Sequence, residues 1–188
     1  MPHNRETKGK AGKNVRPTSG KVLSALLNIL NASGHLRDGR FLDLFSGTGA
    51  VALAALERGA RSVLAVEADR AAAAAISARM RARYDEGTAR CLCADVRRAL
   101  PRIAAQYPDG FDIVFADPPY CLGWGRELPP LIERHASLLA PDGVFVLERS
   151  ARETPAETAL SRDDRIYGET VLSIYRGRPD DEREGASC

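Results

Sequence analysis

Short apolar runs alternate with longer amphipathic segments between positions 40 and 148. The apolar runs read RFLDLF, SVLAVE, ARCLCA, FDIVFA and GVFVLE. The segments between them, AVALAALERG, residues 71–84, VRRALPRIAAQ and residues 131–139, have apolar residues at helical spacing. Parallel strands need crossovers of this length, so the alternation predicts an α/β fold with a mostly parallel sheet.

Two further elements flank this repeating part of the chain. The stretch TSGKVLSALLNIL places its leucines on one helical face, with Thr18 or Ser19 as a candidate N-cap and Gly34 as a stop signal. Near the other end, DRIYGETVLSIYR reads as two strands joined tightly around Gly168. We therefore expect an antiparallel hairpin at one edge of the sheet.

Length and composition favour one domain. The chain has 188 residues, of which 44% are hydrophobic and 28% are charged, which is enough for one buried core. No apolar stretch approaches the roughly 18 to 20 residues of a membrane span, and no apolar segment follows the N-terminal charges as in a signal peptide. We expect a cytoplasmic protein that is monomeric and does not bind membranes.

The net charge of +2 is unevenly distributed. The first twenty-one positions hold six basic residues and one acidic residue. A solvated tail is the interpretation we favour for this segment, and contact with a nucleic-acid backbone is the alternative. We predict a basic flexible arm at 1–15, a folded domain at 16–177 and a disordered tail at 178–188. The C-x-C pair at Cys91 has no second pair to complete a zinc site, and we predict no bound metal.

A glycine-rich turn follows the first predicted strand. Its sequence, DLFSGTGAVA, runs from Asp43 through Gly47 and Gly49 into a predicted helix, and such a turn brings a ligand close to backbone N–H groups. The G-x-G-x-x-A pattern alone suits a dinucleotide nearly as well as S-adenosylmethionine. Asp43 would repel a pyrophosphate and would attract the cationic amino-acid end of S-adenosylmethionine, so we favour the latter.

Carboxylates end the next two predicted strands. Glu67 lies at the end of SVLAVE, where a side chain can accept both ribose hydroxyls of an adenosine. Asp69 is better explained as a helix N-cap. Asp95 ends CLCAD and is either an acceptor for the adenine amino group or a cap for the helix that begins near Val96.

The most specific motif is FDIVFADPPY, in which Asp117, Pro118, Pro119 and Tyr120 follow the fourth predicted strand. An amino group on a base is a poor nucleophile because its lone pair is delocalised into the ring. The Asp117 side chain and the Pro118 carbonyl could accept hydrogen bonds from the two N–H groups of this amine while Tyr120 stacks on the base. The amine nitrogen would then face the methyl group of S-adenosylmethionine. The target base must then be single-stranded, looped or flipped out.

Several motifs together resemble the bacterial 16S ribosomal RNA (guanine(966)-N(2))-methyltransferase family. They are R-P-T at position 16 with the helix KVLSALLNIL, then DLFSGTGAVALAALERGA, VEAD, ADPPY and RIYGET, and they span roughly residues 15–176. The resemblance implies a Rossmann-like, seven-stranded class I methyltransferase sheet with a C-terminal antiparallel hairpin. It also implies S-adenosylmethionine as cofactor, and 16S ribosomal RNA or the small ribosomal subunit as partner.

The resemblance assigns site residues by position. Arg16, Pro17 and Thr18 are implied near the methionine end of the cofactor, and Glu148 is a further candidate for the base pocket. The predicted catalytic residues are Asp117, Pro118, Pro119 and Tyr120. The predicted cofactor contacts are Arg16, Thr18, Asp43, Phe45, Ser46, Gly47, Thr48, Gly49, Glu67, Ala68, Asp95 and Val96.

Three alternatives stay open at this stage. D-P-P-Y serves equally well for methylation of adenine or cytosine in DNA or other RNA, although 188 residues leave little room for a DNA-reading domain. A ribosome-assembly factor could bind the same cofactor without turnover. A nicotinamide-dependent oxidoreductase shares the glycine turn, but the sequence offers no positioned tyrosine–lysine or histidine pair for it.

Overall fold

The computed structural model describes residues 20–119 and 122–177. The predicted arm at 1–15, the R-P-T segment at 16–18, Tyr120 and the tail at 178–188 lie outside these ranges. The helices in the described ranges are α1 (Gly20–Ala32), α2 (Ala50–Glu57), α3 (Arg70–Arg81), α4 (Val96–Gln106) and α5 (Trp124–Arg134). The strands are β1 (Arg40–Asp43), β2 (Ser62–Glu67), β3 (Ala89–Cys93), β4 (Phe111–Ala116), β5 (Leu139–Ser150), β6 (Ser161–Tyr167) and β7 (Thr170–Arg176).

The strands form one seven-stranded sheet in the order β3-β2-β1-β4-β5-β7-β6. Strands β1 to β5 pair in parallel, whereas β7 runs antiparallel to both β5 and β6. The turn between β6 and β7 contains Gly168 at φ +63°, a conformation that favours glycine. The predicted α/β fold with a C-terminal antiparallel hairpin is confirmed.

Apolar side chains cover both faces of the sheet. One core cluster joins α1, α2 and α3 to strand residues such as Phe41 and Phe115, and the other joins α4 and α5 to Leu42, Val114 and Phe145. Alternate residues of each strand therefore enter different cores, as the period of two in a strand requires. None of the described helices is long and apolar enough to cross a membrane.

The fifth helix differs from the prediction. We expected it around 131–139, but α5 begins at Trp124 and ends at Arg134, and Leu139 already belongs to β5, where it pairs with Phe111. The buried residues Trp124, Leu128 and Ile132 recur every four positions on the face that packs against the sheet. This burial offsets the loss of backbone hydrogen bonds at the two prolines inside the helix.

A buried arginine fastens the C-terminal hairpin to the sheet. Arg149 of β5 donates to Oγ of Ser173 at 2.8 Å, to Oδ2 of Asp164 at 2.7 Å and to the carbonyl of Glu153 at 2.7 Å. These contacts reach β7, β6 and the connecting loop at the same time. Because the charge is paired and hydrogen-bonded, its burial is tolerated, and the edge of the sheet is held in place.

Candidate active site

The strand order places a crevice at the carboxyl ends of β1 and β4. From β1 the chain proceeds to β2 and β3 on one side, and it returns to the other side of β1 with β4 and β5. Ligands of open α/β sheets bind at such a switch point because the connections leave in opposite directions there. Asp43 ends β1, and Asp117 follows β4 directly.

The glycine turn between β1 and α2 is shaped by two residues with positive φ. Gly47 has φ +55° and Gly49 has φ +73°, and Gly49 is also the N-cap of α2. A Cβ at Gly49 would lie 3.2 Å from the Ile76 side chain of α3, whereas a Cβ at Gly47 would meet only the Phe45 carbonyl at 4.0 Å. Gly49 thus permits close packing of the helices, and Gly47 leaves space beside the turn where a ligand can reach the backbone.

Asp43 is the central charged group of the crevice. It is only 1% exposed, its Oδ2 accepts a 2.6 Å hydrogen bond from Ser46, and its Oδ1 has no hydrogen-bond partner among the described residues. Burial raises its pKa to about 7, the charges of Asp117 and Glu67 act in the same direction, and the Ser46 hydrogen bond and the Phe45 backbone oppose them. A buried, unpaired carboxyl oxygen is a strong site for a cationic ligand.

Glu67 fastens the glycine turn to the second strand. Its Oε2 accepts a hydrogen bond from the Gly47 amide at 2.8 Å, and its Oε1 accepts one from the Asp69 amide at 2.8 Å. The sequence predicts a ribose contact for this residue, but it does not reveal this bridge. A carboxylate oxygen can accept more than one hydrogen bond, so the bridge leaves Glu67 able to take a ribose hydroxyl.

Two further acidic residues act as helix N-caps. Asp69 accepts from the Ala72 amide at 2.9 Å, which confirms the cap predicted there. Asp95 accepts from the Arg97 amide at 3.0 Å at the start of α4, so the cap that the sequence left as one of two possibilities is present. Among the other predicted contacts, Ala68 is exposed at the end of β2, Thr48 is exposed in the turn, and Val96 is buried.

A cluster of two aromatic side chains and one arginine, which the sequence did not predict, lies beside the glycine turn. The ring of Phe45 meets the edge of Trp124 at a centroid distance of 4.9 Å, and the guanidinium carbon of Arg97 lies 3.8 Å from the centroid of the Trp124 ring. Glu127, one helical turn along α5, forms an ion pair with Arg97. Trp124 and Glu127 lie three residues apart on the same side of α5. The sequence could have predicted this pair only if the helix had been predicted to begin at Trp124.

Asp117, in the loop after β4, lies beside a second carboxyl group, that of Glu148 on β5. Asp117 is half-buried, Pro118 is buried and Pro119 is exposed. Ala116 pairs with Leu147 in the β4–β5 register, so the next residues along, Asp117 and Glu148, are neighbours. Glu148 is 3% exposed, its Oε2 has no hydrogen-bond partner in the described part of the chain, and burial followed by the Asp117 charge raises its pKa to about 8.

The described site residues therefore lie together at the carboxyl ends of the parallel strands. Four carboxyl groups line the ends of adjacent strands, namely Asp43 (β1), Glu67 (β2), Asp117 (after β4) and Glu148 (β5). Arg16, Pro17, Thr18 and Tyr120 fall outside the described ranges. No group of three or more His, Cys, Asp or Glu residues in the described ranges is arranged to hold a metal ion.

Known proteins with similar sequences or folds include methyltransferases. The chain is 32% identical over 178 residues to "Putative rRNA methyltransferase YlbH" of Bacillus subtilis, covering 93% of this chain and 94% of that protein. It is 30% identical over 165 residues to Ribosomal RNA small subunit methyltransferase D of Escherichia coli K12, covering 86% of this chain and 79% of that protein. The solved structure of "Putative methyltransferase yhhF" from Escherichia coli superposes with a TM-score of 0.72 at 28% identity, over 88% of this chain and 89% of that one.

The seven-stranded sheet with its terminal antiparallel hairpin and glycine turn defines a protein of the Rossmann-like methyltransferase class. The family model described as Conserved hypothetical protein 95 matches residues 2–176. The chain belongs to this family, in agreement with the resemblance found in its motifs.

Proposed function

We propose that this protein uses S-adenosylmethionine to methylate the exocyclic N2 amine of a guanine in 16S ribosomal RNA of the small subunit. The observation that carries the proposal is the juxtaposition of Asp43, a buried carboxyl with one unpartnered oxygen, and Asp117, the first residue of D-P-P-Y. Relatives at 30% and 32% identity are named as ribosomal RNA methyltransferases, which supports RNA as the substrate.

The residues around the glycine turn fit the cofactor. S-adenosylmethionine supplies a methyl group activated by a sulfonium charge. Asp43 would take the cationic amino group at its unpartnered oxygen, and the open face of Gly47 would admit the ligand to the backbone. Glu67, at the end of β2, would accept the ribose hydroxyls, and Asp95, after β3, would lie near the adenine. Arg16 and Thr18 complete the methionine end by resemblance to the family.

The loop after β4 holds the amine to be methylated. The carboxylate of Asp117 and the carbonyl of Pro118 accept its two hydrogens, and Tyr120 stacks on the base to fix its plane. This hold would aim the nitrogen lone pair at the activated methyl group that S-adenosylmethionine supplies, with no covalent enzyme intermediate. The proton that the methylated nitrogen gives up would pass to the neighbouring Asp117 carboxylate. The protein contributes position and an electrostatic field, and a base must leave its stack to enter the crevice.

The organisation of the chain follows from this assignment. We assign catalysis to residues 16–177, and the basic arm at 1–15 stays a candidate contact for the RNA backbone. The monomeric state and the cytoplasmic location stay predictions from the sequence.

The decisive experiment incubates the full chain with tritiated S-adenosylmethionine and small ribosomal particles that lack the modification, and then maps the labelled base. We expect label at N2 of one guanine. Label at adenine, at cytosine or in DNA would replace the guanine assignment. Absence of label from every nucleic acid, with assembly still promoted, would favour the assembly factor.

Substitution separates catalysis from binding in the same assay. Asp117→Ala should lose label incorporation while its affinity for S-adenosylhomocysteine, measured by calorimetry, changes little. Asp163→Ala removes an exposed carboxylate that pairs with Arg165 on the hairpin, and it should retain full activity. Equal incorporation by wild type and Asp117→Ala would contradict the role of the loop.

A further inference from the structure

The buried carboxyl group of Glu148 has no evident role in holding the fold together. It lies in β5, two residues before the strand ends, it is only 3% exposed, and its Oε2 accepts no hydrogen bond from any described residue. Its partner in the β7 register is the apolar Leu172, and no described basic residue forms an ion pair with it. Burying a carboxyl oxygen without a partner costs free energy, so a ligand that satisfies it would explain its presence.

The position of Glu148 limits which ligand that can be. Asp117 is its neighbour across β4 and β5, and the charge of Asp117 acts on the Glu148 carboxyl. A base whose exocyclic amine is held by Asp117 would therefore have a ring edge beside that amine within reach of Glu148 when its N1 side faces β5.

The three amino bases differ at those atoms. Next to its N2 amine, guanine carries the N1–H donor and then the O6 acceptor. Adenine and cytosine carry an unprotonated ring nitrogen beside their amine, and neither has a donor there. A protonated carboxyl group has one acceptor and one donor, which match N1–H and O6 of guanine in a cyclic pair.

We propose that Glu148 is the residue that selects guanine, with its protonated carboxyl accepting from N1–H and donating to O6 while Asp117 holds the amine. This inference rests on the proposed function and adds the residue that distinguishes guanine from the other amino bases. It requires no metal and no further cofactor.

The electrostatic setting favours the protonated form. Burial, followed by the charge of Asp117, raises the pKa of Glu148 to about 8, so the proton is present at neutral pH. Among the described residues, Asp117 on the β4 side is the titratable group that acts on Glu148, and the β7 side presents Leu172. Above a pH of about 8 the carboxyl ionises and loses its donor, so selection should weaken as pH rises.

The test compares guanine with 2-aminopurine at the methylated position of reconstituted small ribosomal particles. 2-Aminopurine keeps the amine but lacks both N1–H and O6. We expect wild-type kcat/KM to favour guanine by about thirtyfold, because guanine offers two hydrogen bonds that 2-aminopurine lacks. Glu148→Leu should lower the ratio of kcat/KM for guanine to kcat/KM for 2-aminopurine until it reflects only the intrinsic reactivity of the two bases. Most of the change should be a higher KM for guanine. Glu169→Gln, at an exposed ion pair with Arg152, should keep the wild-type ratio.

A second variant keeps the test independent of folding. Glu148→Gln carries a donor and an acceptor at every pH, so it should prefer guanine equally at pH about 6.5 and about 8.5, where the N1–H of guanine is still present, whereas the wild-type preference should fall over that range. An unchanged ratio in a folded Glu148→Leu protein, or the same pH profile in wild type and Glu148→Gln, would overturn the inference. Wild-type protein that labels no guanine N2 would instead refute the proposed function.

Discussion

The backbone amide of Gly47 donates a 2.8 Å hydrogen bond to Oε2 of Glu67, a residue twenty positions further along the chain. The bond joins the turn after β1 to the end of β2, and the Asp69 amide occupies the other oxygen of the same carboxylate. The glycine turn is therefore held in shape by the protein itself. A ligand that binds to a turn already in its bound shape does not lose free energy to ordering it.

Glu67→Gln should weaken cofactor binding. The amide side chain can accept only one of the two hydrogen bonds and places its NH2 group against the other backbone donor. We expect the affinity for S-adenosylhomocysteine to fall by about tenfold or more, since hydrogen bonds to charged groups contribute about 1.5 to 3 kcal/mol. Calorimetry measures the change. The matched control is Glu57→Gln, which removes an exposed ion pair with Arg83 and should bind normally.

Asp43→Asn should stabilise the cofactor-free protein while abolishing cofactor binding. Burial raises the pKa of Asp43 from 3.8 to about 7, so between these pH values the folded state keeps a proton that the unfolded state has lost. The wild-type free energy of unfolding therefore declines across that window as pH rises. Asparagine does not ionise, and its amide oxygen can still accept from Ser46.

The gain from Asp43→Asn should be about 1 to 4 kcal/mol above pH 7 and should vanish near pH 4, measured by urea unfolding at several pH values. Asp163→Asn, at an exposed ion pair with Arg165, is the control and should show no such trend. A variant that is less stable than wild type above neutral pH would contradict the burial cost assigned to Asp43.

Cofactor affinity should increase with pH through the neutral range. The cationic amino group of the ligand favours ionised Asp43, whose pKa in the free protein is about 7. Below this value binding must release a proton, so the affinity should fall by up to about tenfold for each lower pH unit. Calorimetry in two buffers of different ionisation enthalpy detects the released proton directly. A pH-independent affinity in wild type would show that Asp43 does not contact the cation.

Gly49→Ala should destabilise the protein more than Gly34→Ala. Both glycines have positive φ, +73° and +79°, so each alanine pays a similar backbone strain of about 1 kcal/mol. The Cβ at Gly49 would also lie 3.2 Å from the Ile76 side chain, whereas the Cβ at Gly34 would meet nothing within 4 Å. We expect an additional cost of about 1 to 3 kcal/mol at Gly49, measured by denaturant unfolding. Equal losses would indicate that Ile76 moves away freely.

The sequence predicts the strands that are marked by a short, continuous run of mostly apolar residues. FDIVFA and SVLAVE are continuous apolar runs because both faces of the parallel strands are buried, and β4 and β2 coincide with them. Asp43 and Asp117 were predicted from the glycine-turn and D-P-P-Y motifs, and the structure places both at the carboxyl ends of the neighbouring strands β1 and β4. The predicted position of α5 was wrong because Pro129 and Pro130 are not typical of a helix interior. Burial of Trp124 and Leu128 stabilises the helix despite these prolines.

Contacts between residues that are far apart in the sequence could not be predicted from it. The stacking of Arg97 on Trp124 joins two helices whose relative position no local pattern specifies. The same is true of the bridge from Glu67 to Gly47, and of buried Arg149, which donates hydrogen bonds to four acceptors at once. Such contacts depend on the register of the sheet and on helix packing, and both are properties of the assembled chain.

The row of carboxyl groups along the strand ends also governs how a polynucleotide can approach. Asp43, Glu67, Asp117 and Glu148 share this edge, and the ionised members repel phosphates at short range. Under the proposed function, these charges disfavour an RNA backbone along the crevice and favour an uncharged base with hydrogen-bond donors on its edge. The crevice would thus discriminate against phosphate groups as well as between bases.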